Sequence, residues 1–193
     1  MIKVGITGGI GSGKTTVCKL FELLGIAVYY SDDEAKKILN HDPTVKSELL
    51  NLFGTTILNE FDQIDRKKIA AIVFSDTTKL VKLNAIVHPA VATHFEDWCK
   101  KQSSSYILKE AAILFESGAN KQVDKTIVVT APVELKLLRV MARDKTIEAE
   151  VLKRMANQLP DEEKIKLSDF VINNDEQNLL IPQVLLVHNQ LRK

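Results

Sequence analysis

Gly8-Gly9-Ile10-Gly11-Ser12-Gly13-Lys14-Thr15 reads G-x-x-x-x-G-K-[ST], the spacing of a nucleotide phosphate-binding loop. Ile2-Lys3-Val4-Gly5-Ile6-Thr7 precedes it, short and rich in β-branched residues, and predicts a buried strand. Val17-Cys18-Lys19-Leu20-Phe21-Glu22-Leu23-Leu24 follows, apolar at helical spacing and stopped by Gly25. Strand, glycine loop and helix together supply what phosphate binding needs. Glycines let successive N–H groups turn toward phosphate oxygens, and the helix start adds its positive end. Gly9, Gly11, Ser12, Gly13, Lys14, Thr15 and Thr16 are the expected nucleotide cradle. In it Lys14 reaches the β- and γ-phosphates and Thr15 holds Mg²⁺. A dinucleotide-binding turn is excluded, because Gly9-x-Gly11 would need glycine or alanine at position 14, where Lys14 stands.

The rest of the chain bounds what surrounds that loop. Its 193 residues suit one domain with insertions, and 45% hydrophobic residues suffice for a core. A net charge of +1 gives no electrostatic footprint for nucleic acid or an anionic membrane. Two cysteines, Cys18 and Cys99, argue against a disulfide framework and fit a reducing compartment. A strand from residue 2 leaves no room for a leader peptide, and no run of 18 apolar residues exists. A cytoplasmic location is therefore expected, with no membrane, nucleic-acid or obligate protein partner.

Ile26-Ala27-Val28-Tyr29-Tyr30 predicts a second strand, and Ser31-Asp32-Asp33-Glu34 begins a helix after it. Parallel sheets bind ligands beyond the carboxyl ends of their strands, which places Asp32 on the edge that carries the loop. Ser31-x-x-Glu34 is also a capping box, and the two readings are compatible. Residues 34–103 read as helical without a convincing core strand. His88-Pro89 should break or kink the helical stretches Leu80–Ile86 and Val91–Cys99. Further strands are expected from Tyr106, over Lys125–Thr130 and over Asp169–Asn173, with an amphipathic helix over Leu179–Leu191. Five strands with intervening helices make an α/β, doubly wound P-loop NTPase fold. The nucleotide-kinase-like group that this pattern resembles implies a parallel sheet of order 2-3-1-4-5. The expected division is a core of 1–33, 104–138 and 167–193, a helical acceptor-binding insertion over 34–103, and a lid over 139–166.

Phosphoryl transfer needs the donor held, charge neutralised, the acceptor placed and water excluded. Lys14 and the loop hold the donor, and Thr15, with Asp32, orders Mg²⁺. Arg139 and Arg143, four apart on one helix, would clamp the transferring group; surface ion pairing is the alternative. Asp32 is the leading residue to take the acceptor hydroxyl's proton, and His88 the runner-up, unless it is a structural histidine beside proline. Arg66, after Asp65, reads either as a substrate-phosphate ligand or as a solvated helix start.

Taken in order, these motifs resemble the dephospho-CoA kinase family along nearly the whole chain. The resemblance rests on Ile6–Thr15, the acidic motif after strand two, His88-Pro89, Ile113-Leu114-Phe115-Glu116 and Arg139-x-x-x-Arg143-Asp144. Arg154-x-x-x-Gln158 and Asp169-x-Val171-Ile172-x-Asn174 complete it. It implies ATP-dependent phosphorylation of the ribose 3′-hydroxyl of dephospho-CoA, the last step of coenzyme A synthesis, with Mg²⁺. It implies Asp32 as acid/base, Lys14 at the transferred phosphate, and Arg66, His88 and the 34–103 helices around the acceptor. It also implies Arg139 and Arg143 near ATP and Asn174 near its adenine. The chain departs from the family pattern at Tyr30, where Asp is usual, and at Ala112-Ile113-Leu114, where Pro-Leu-Leu is usual. Thr15 stands for Ser with an equivalent hydroxyl. A guanine-selective GTPase is the rival class. It fails because Asn120-Lys121-Gln122-Val123-Asp124 is one residue too long for Asn-Lys-x-Asp, and no Asp lies three residues before a glycine.

Overall fold

Five strands, Ile2–Thr7 (β1), Val28–Tyr30 (β2), Tyr106–Glu110 (β3), Lys125–Thr130 (β4) and Phe170–Asn173 (β5), pair in parallel in the order β2-β3-β1-β4-β5. This is the order the nucleotide-kinase pattern implies. The computed structural model describes residues 1–74 and 76–192, without the side chain of Phe74. Ser75 of the expected helical run over 34–103, the Phe74 side chain of the apolar stretch 69–74, and Lys193 of the expected core lie outside the described residues.

The chain divides into two compact units, Met1–Tyr30 with Gln102–Lys193, and Ser31–Lys101. In the first, β1 is central, and its Val4 to Thr7 are buried on both faces. One face of the sheet presents Val4, Ile6, Tyr106, Leu108, Ile127, Val129 and Ile172 to helices α1 (Lys14–Leu23) and α9 (Leu180–Leu191). Phe21 of α1 meets Tyr106 edge-on, with ring centroids 6.4 Å apart. On the other face, Gly5 lies under Leu114 and Val123. Helices α6 (Val133–Asp144), α7 (Glu148–Met155) and α8 (Asp161–Lys166) follow β4.

The second unit holds α2 (Ser31–His41), α3 (Pro43–Phe53), α4 (Arg66–Phe74) and α5 (Thr77–Cys99). Its core is Ile38, Leu39, Val45, Leu49, Ile57, Ile64 and Ile69. Asp42 caps α3 through Thr44 N–H, with Pro43 in the first turn, and Gly54 ends it. Among the described residues this unit has an isolated bridge, Leu58 to Ile64, and no strand.

One local expectation is narrowed and another corrected. Of the break or kink expected at His88-Pro89, the break does not occur, since helix α5 runs unbroken through Pro89. A mid-helix proline lacks an N–H and crowds the carbonyl four residues back, but Leu83, Ile86, Val87, Ala90 and Val91 pack on the core from both sides of it. Tertiary burial thus outweighs the local preference. Ser31 is the first residue of α2, and its Oγ is buried without a hydrogen-bond partner, so the capping box does not form.

Candidate active site

The loop after β1 is shaped by what presses on its backbone. Gly13 precedes α1 with φ 92°, a left-handed conformation that favours glycine. Asn174 Nδ2 occupies the place where a Cβ on Gly13 would stand. The same amide donates to the Ser12 carbonyl at 2.8 Å. Gly11, at φ 81°, lies against the Lys136 backbone, 2.9 Å from its Cα to an added Cβ. Ser12 N–H donates to the Gly9 carbonyl at 3.1 Å and closes the turn at the loop's tip. Lys14 Nζ bends back over the loop and donates to the Gly8 carbonyl at 2.8 Å. Thr15 and Thr16 are exposed in the first turn of α1.

The outer side of the loop is built by residues 136–161. Ile10 N–H donates to Gln158 Oε1 at 2.8 Å. Lys136 Nζ pairs with Asp161 Oδ2 at 2.8 Å, and Thr130 donates to the same oxygen at 2.9 Å. Leu159 N–H donates to Glu116 Oε1 at 2.8 Å, and the buried Lys164 ammonium lies 3.1 Å from that oxygen. Burial raises the Glu116 carboxyl, but the backbone N–H groups of Glu116 and Leu159, with Lys164, outweigh it and hold it below its ordinary value. Residues 158–164 are therefore fastened at four points within the expected lid over 139–166.

Arg139 and Arg143 do not share a partner. Arg139 donates twice to the Asn174 carbonyl at 3.1 Å and pairs with Glu176 at 2.9 Å. Arg143 is exposed and donates to Asp144, which also binds Arg154 at 2.8 Å. Hydrogen bonds from Arg143 first, then those from Arg154, hold the Asp144 carboxyl low. Arg139, Asn174 and Ser12 thus form one connected chain beside the loop, while Arg143 belongs to a surface network.

Two carboxylates near α1 went unnoticed in the sequence. Glu110 ends β3 beside Ile6 of β1 and is buried. Its charge and that of Glu22 push up the Cys18 thiol, after burial itself, while Lys14 opposes them. Cys18 is accordingly a neutral core thiol. Tyr30, where the family pattern has Asp, donates to Glu22 Oε1 at 3.1 Å. Burial first, then Cys18 and the Glu22 carboxylate, raise its pKa. The signal for Glu110 was an acid ending a strand that begins Tyr106-Ile107-Leu108.

The remaining expected site residues lie in the helical unit. Asp32 is exposed in the first turn of α2, and Arg66 is the exposed first residue of α4. Asp65 caps α4, accepting from Lys67 N–H at 2.9 Å. His88 is half-buried within α5. Among the described residues no three His, Cys, Asp or Glu converge to form a metal cage. Around the loop the donors are oxygens: the exposed Thr15 hydroxyl, the buried Glu110 carboxylate, and the Ser12 and Thr7 hydroxyls, which are buried without hydrogen-bond partners. That donor set fits Mg²⁺, which takes few protein ligands and keeps phosphates and waters.

A family model described as dephospho-CoA kinase matches residues 2–179. A dephospho-CoA kinase of Bacteroides fragilis is 40% identical over 185 residues, covering 95% of this chain and 90% of its own. Among solved structures, TT1252 from Thermus thermophilus superposes with a TM-score of 0.88 at 33% identity, covering 98% of this chain and 96% of its own. A dephospho-CoA kinase from Campylobacter jejuni superposes at 0.70 with 28% identity, covering 98% and 96%. With this match along the chain and the phosphate loop in place after β1, the chain belongs to the dephospho-CoA kinase family.

Proposed function

We propose that this chain transfers the γ-phosphoryl group of ATP to the ribose 3′-hydroxyl of dephospho-CoA, giving coenzyme A and ADP in the cytoplasm. The observation that carries the reading is the glycine loop between β1 and α1, with Lys14 over it and Asn174 and Arg139 beside it. Lys14 stabilises charge on the transferred group, and backbone N–H groups of the loop bind the phosphates. Arg139 and Asn174 flank the nucleotide, and Arg143 turns inward from Asp144 when the part of the 139–166 segment outside the fastened residues 158–164 closes. Such closure excludes water that would otherwise accept the phosphoryl group. The Ser31–Lys101 unit, with Arg66 and His88, binds the acceptor.

Asp32 orients the acceptor hydroxyl and accepts its proton as the bond to phosphorus forms. A sugar hydroxyl ionises far above neutral pH, so this proton moves late. Thr15 and Asp32 would hold Mg²⁺. When bound, the ion neutralises phosphate charge and fixes the phosphates in one geometry. The test is ADP release with ATP, Mg²⁺ and dephospho-CoA, with the product identified by mass as coenzyme A. ADP release without coenzyme A, or turnover of other alcohols in preference to dephospho-CoA, would overturn the reading.

A further inference from the structure

We infer that Gln158 is a positioning residue for the nucleotide: it keys the tip of the phosphate loop to the base of the 139–166 segment. The inference rests on the reading of Gly8–Thr15 as an ATP-binding loop. Gln158 lies in the bend between α7 and α8, and both ends of its amide are used. Oε1 accepts from Ile10 N–H at 2.8 Å, and Nε2 donates to the Ala112 carbonyl at 3.3 Å. The partners dictate the orientation, since a backbone N–H can only donate and a carbonyl can only accept.

The neighbours of Gln158 are pinned as well. Leu159 N–H is held by Glu116, and Asp161 by Lys136 and Thr130. The 158–161 stretch is thereby a fixed base, and from it Gln158 hydrogen-bonds the loop's backbone. Ile10 is at the tip of the turn that Ser12 N–H closes on the Gly9 carbonyl. Holding that tip holds the turn in register with Ala112, just past the end of β3. Without the bridge the turn gains freedom that phosphate binding must remove, so nucleotide affinity falls while acceptor affinity does not.

Two variants and one measurement on the unaltered protein test this. Q158M keeps the length of glutamine and removes both hydrogen bonds. It should raise the ADP Kd measured by calorimetry and the KM for ATP together, by about tenfold, and leave the KM for dephospho-CoA unchanged. Q158E keeps an acceptor for Ile10 N–H. It sets a carboxylate oxygen against the Ala112 carbonyl and negative charge beside an anion site, so it should weaken ADP more than Q158M does. In the unaltered full chain without nucleotide, the Ile10 amide hydrogen should exchange slowly, a readout that holds even where a variant does not fold.

Wild-type ADP Kd and KM for ATP in either folded variant would overturn the inference, even with a lowered unfolding temperature, as would fast exchange at Ile10. A wild-type protein that binds ADP but does not phosphorylate dephospho-CoA would sink the proposed function alone, and Q158M would still decide the role of Gln158. A wild-type protein that binds no ADP would remove both.

Discussion

Lys136 and Asp161 form a buried ion pair against the backbone of the phosphate loop: their charged atoms are 2.8 Å apart, and a Cβ on Gly9 would stand 3.0 Å from Asp161 Oδ1. The pair joins the first turns of α6 and α8, and Thr130 at the end of β4 completes it. Breaking a buried pair leaves one charge uncompensated. Asp161→Ala should therefore destabilise the protein by about 3–5 kcal/mol, measured by urea unfolding. Lys136→Met with Asp161→Leu, which removes both charges, should recover most of that loss; a double variant no better than the single would mean that packing, not charge, sets the stability.

Gly13→Ala should weaken both stability and nucleotide binding. Its φ of 92° is strained for alanine, and the new methyl group would displace the Asn174 amide. A loss of about 1–3 kcal/mol is expected from the backbone alone, with a rise in KM for ATP. Asn174→Ala in the same chain makes room for the methyl group. It should recover some stability and none of the KM, and full recovery of both would show that crowding rather than backbone conformation is at issue.

Asp32→Asn keeps the shape of the side chain and removes its basicity. Turnover should fall by about 10²–10⁴-fold, with ADP affinity nearly intact, if the loop supplies most of the nucleotide's contacts as proposed. Near-normal turnover would hand the proton to Asp33 or His88.

His188 lies buried on α9, its Nδ1 2.7 Å from the Tyr106 hydroxyl. Burial first, then the nearby Arg192 charge, lowers its pKa below 6.5. A histidine whose folded pKa is depressed is protonated more readily in the unfolded chain, so stability is lost as pH falls below about 6.5. Urea unfolding between pH 8 and 5 should show this slope in the wild type and a flatter one in His188→Gln. Equal slopes would place the titration elsewhere.

The strand–loop–helix unit was legible because its signals are local. Apolar runs in Ile2–Thr7 and Val17–Leu24 and glycines at 8, 9, 11 and 13 act over a few residues. Pro89 misled in part for the same reason: a local rule forecast a break or a kink, and with packing from both flanks the helix is not broken. Ser31 misled likewise, since its capping motif is present while its hydroxyl points into a buried place without a partner. Glu110 carried a weak signal, one acid after Lys109 at the end of a strand that begins apolar, that gains meaning only once β3 is known to lie beside β1.

By itself the sequence determined the phosphate loop, the five parallel strands in outline and, through the ordered set of motifs, the family. The loop and the strands depend on backbone propensity and on the period of apolar residues, which nearest neighbours in the chain set; the family rests on the resemblance of the ordered motifs. Only the tertiary structure decided how the loop is held. Ile10 and Gln158 are 148 positions apart, Ser12 and Asn174 are 162 apart, and Lys136 and Asp161 are 25 apart. No periodicity pairs such residues. Each bond forms because folding the sheet carries a donor and an acceptor out of water to the same place, where leaving either one unpaired would cost more than the bond itself contributes.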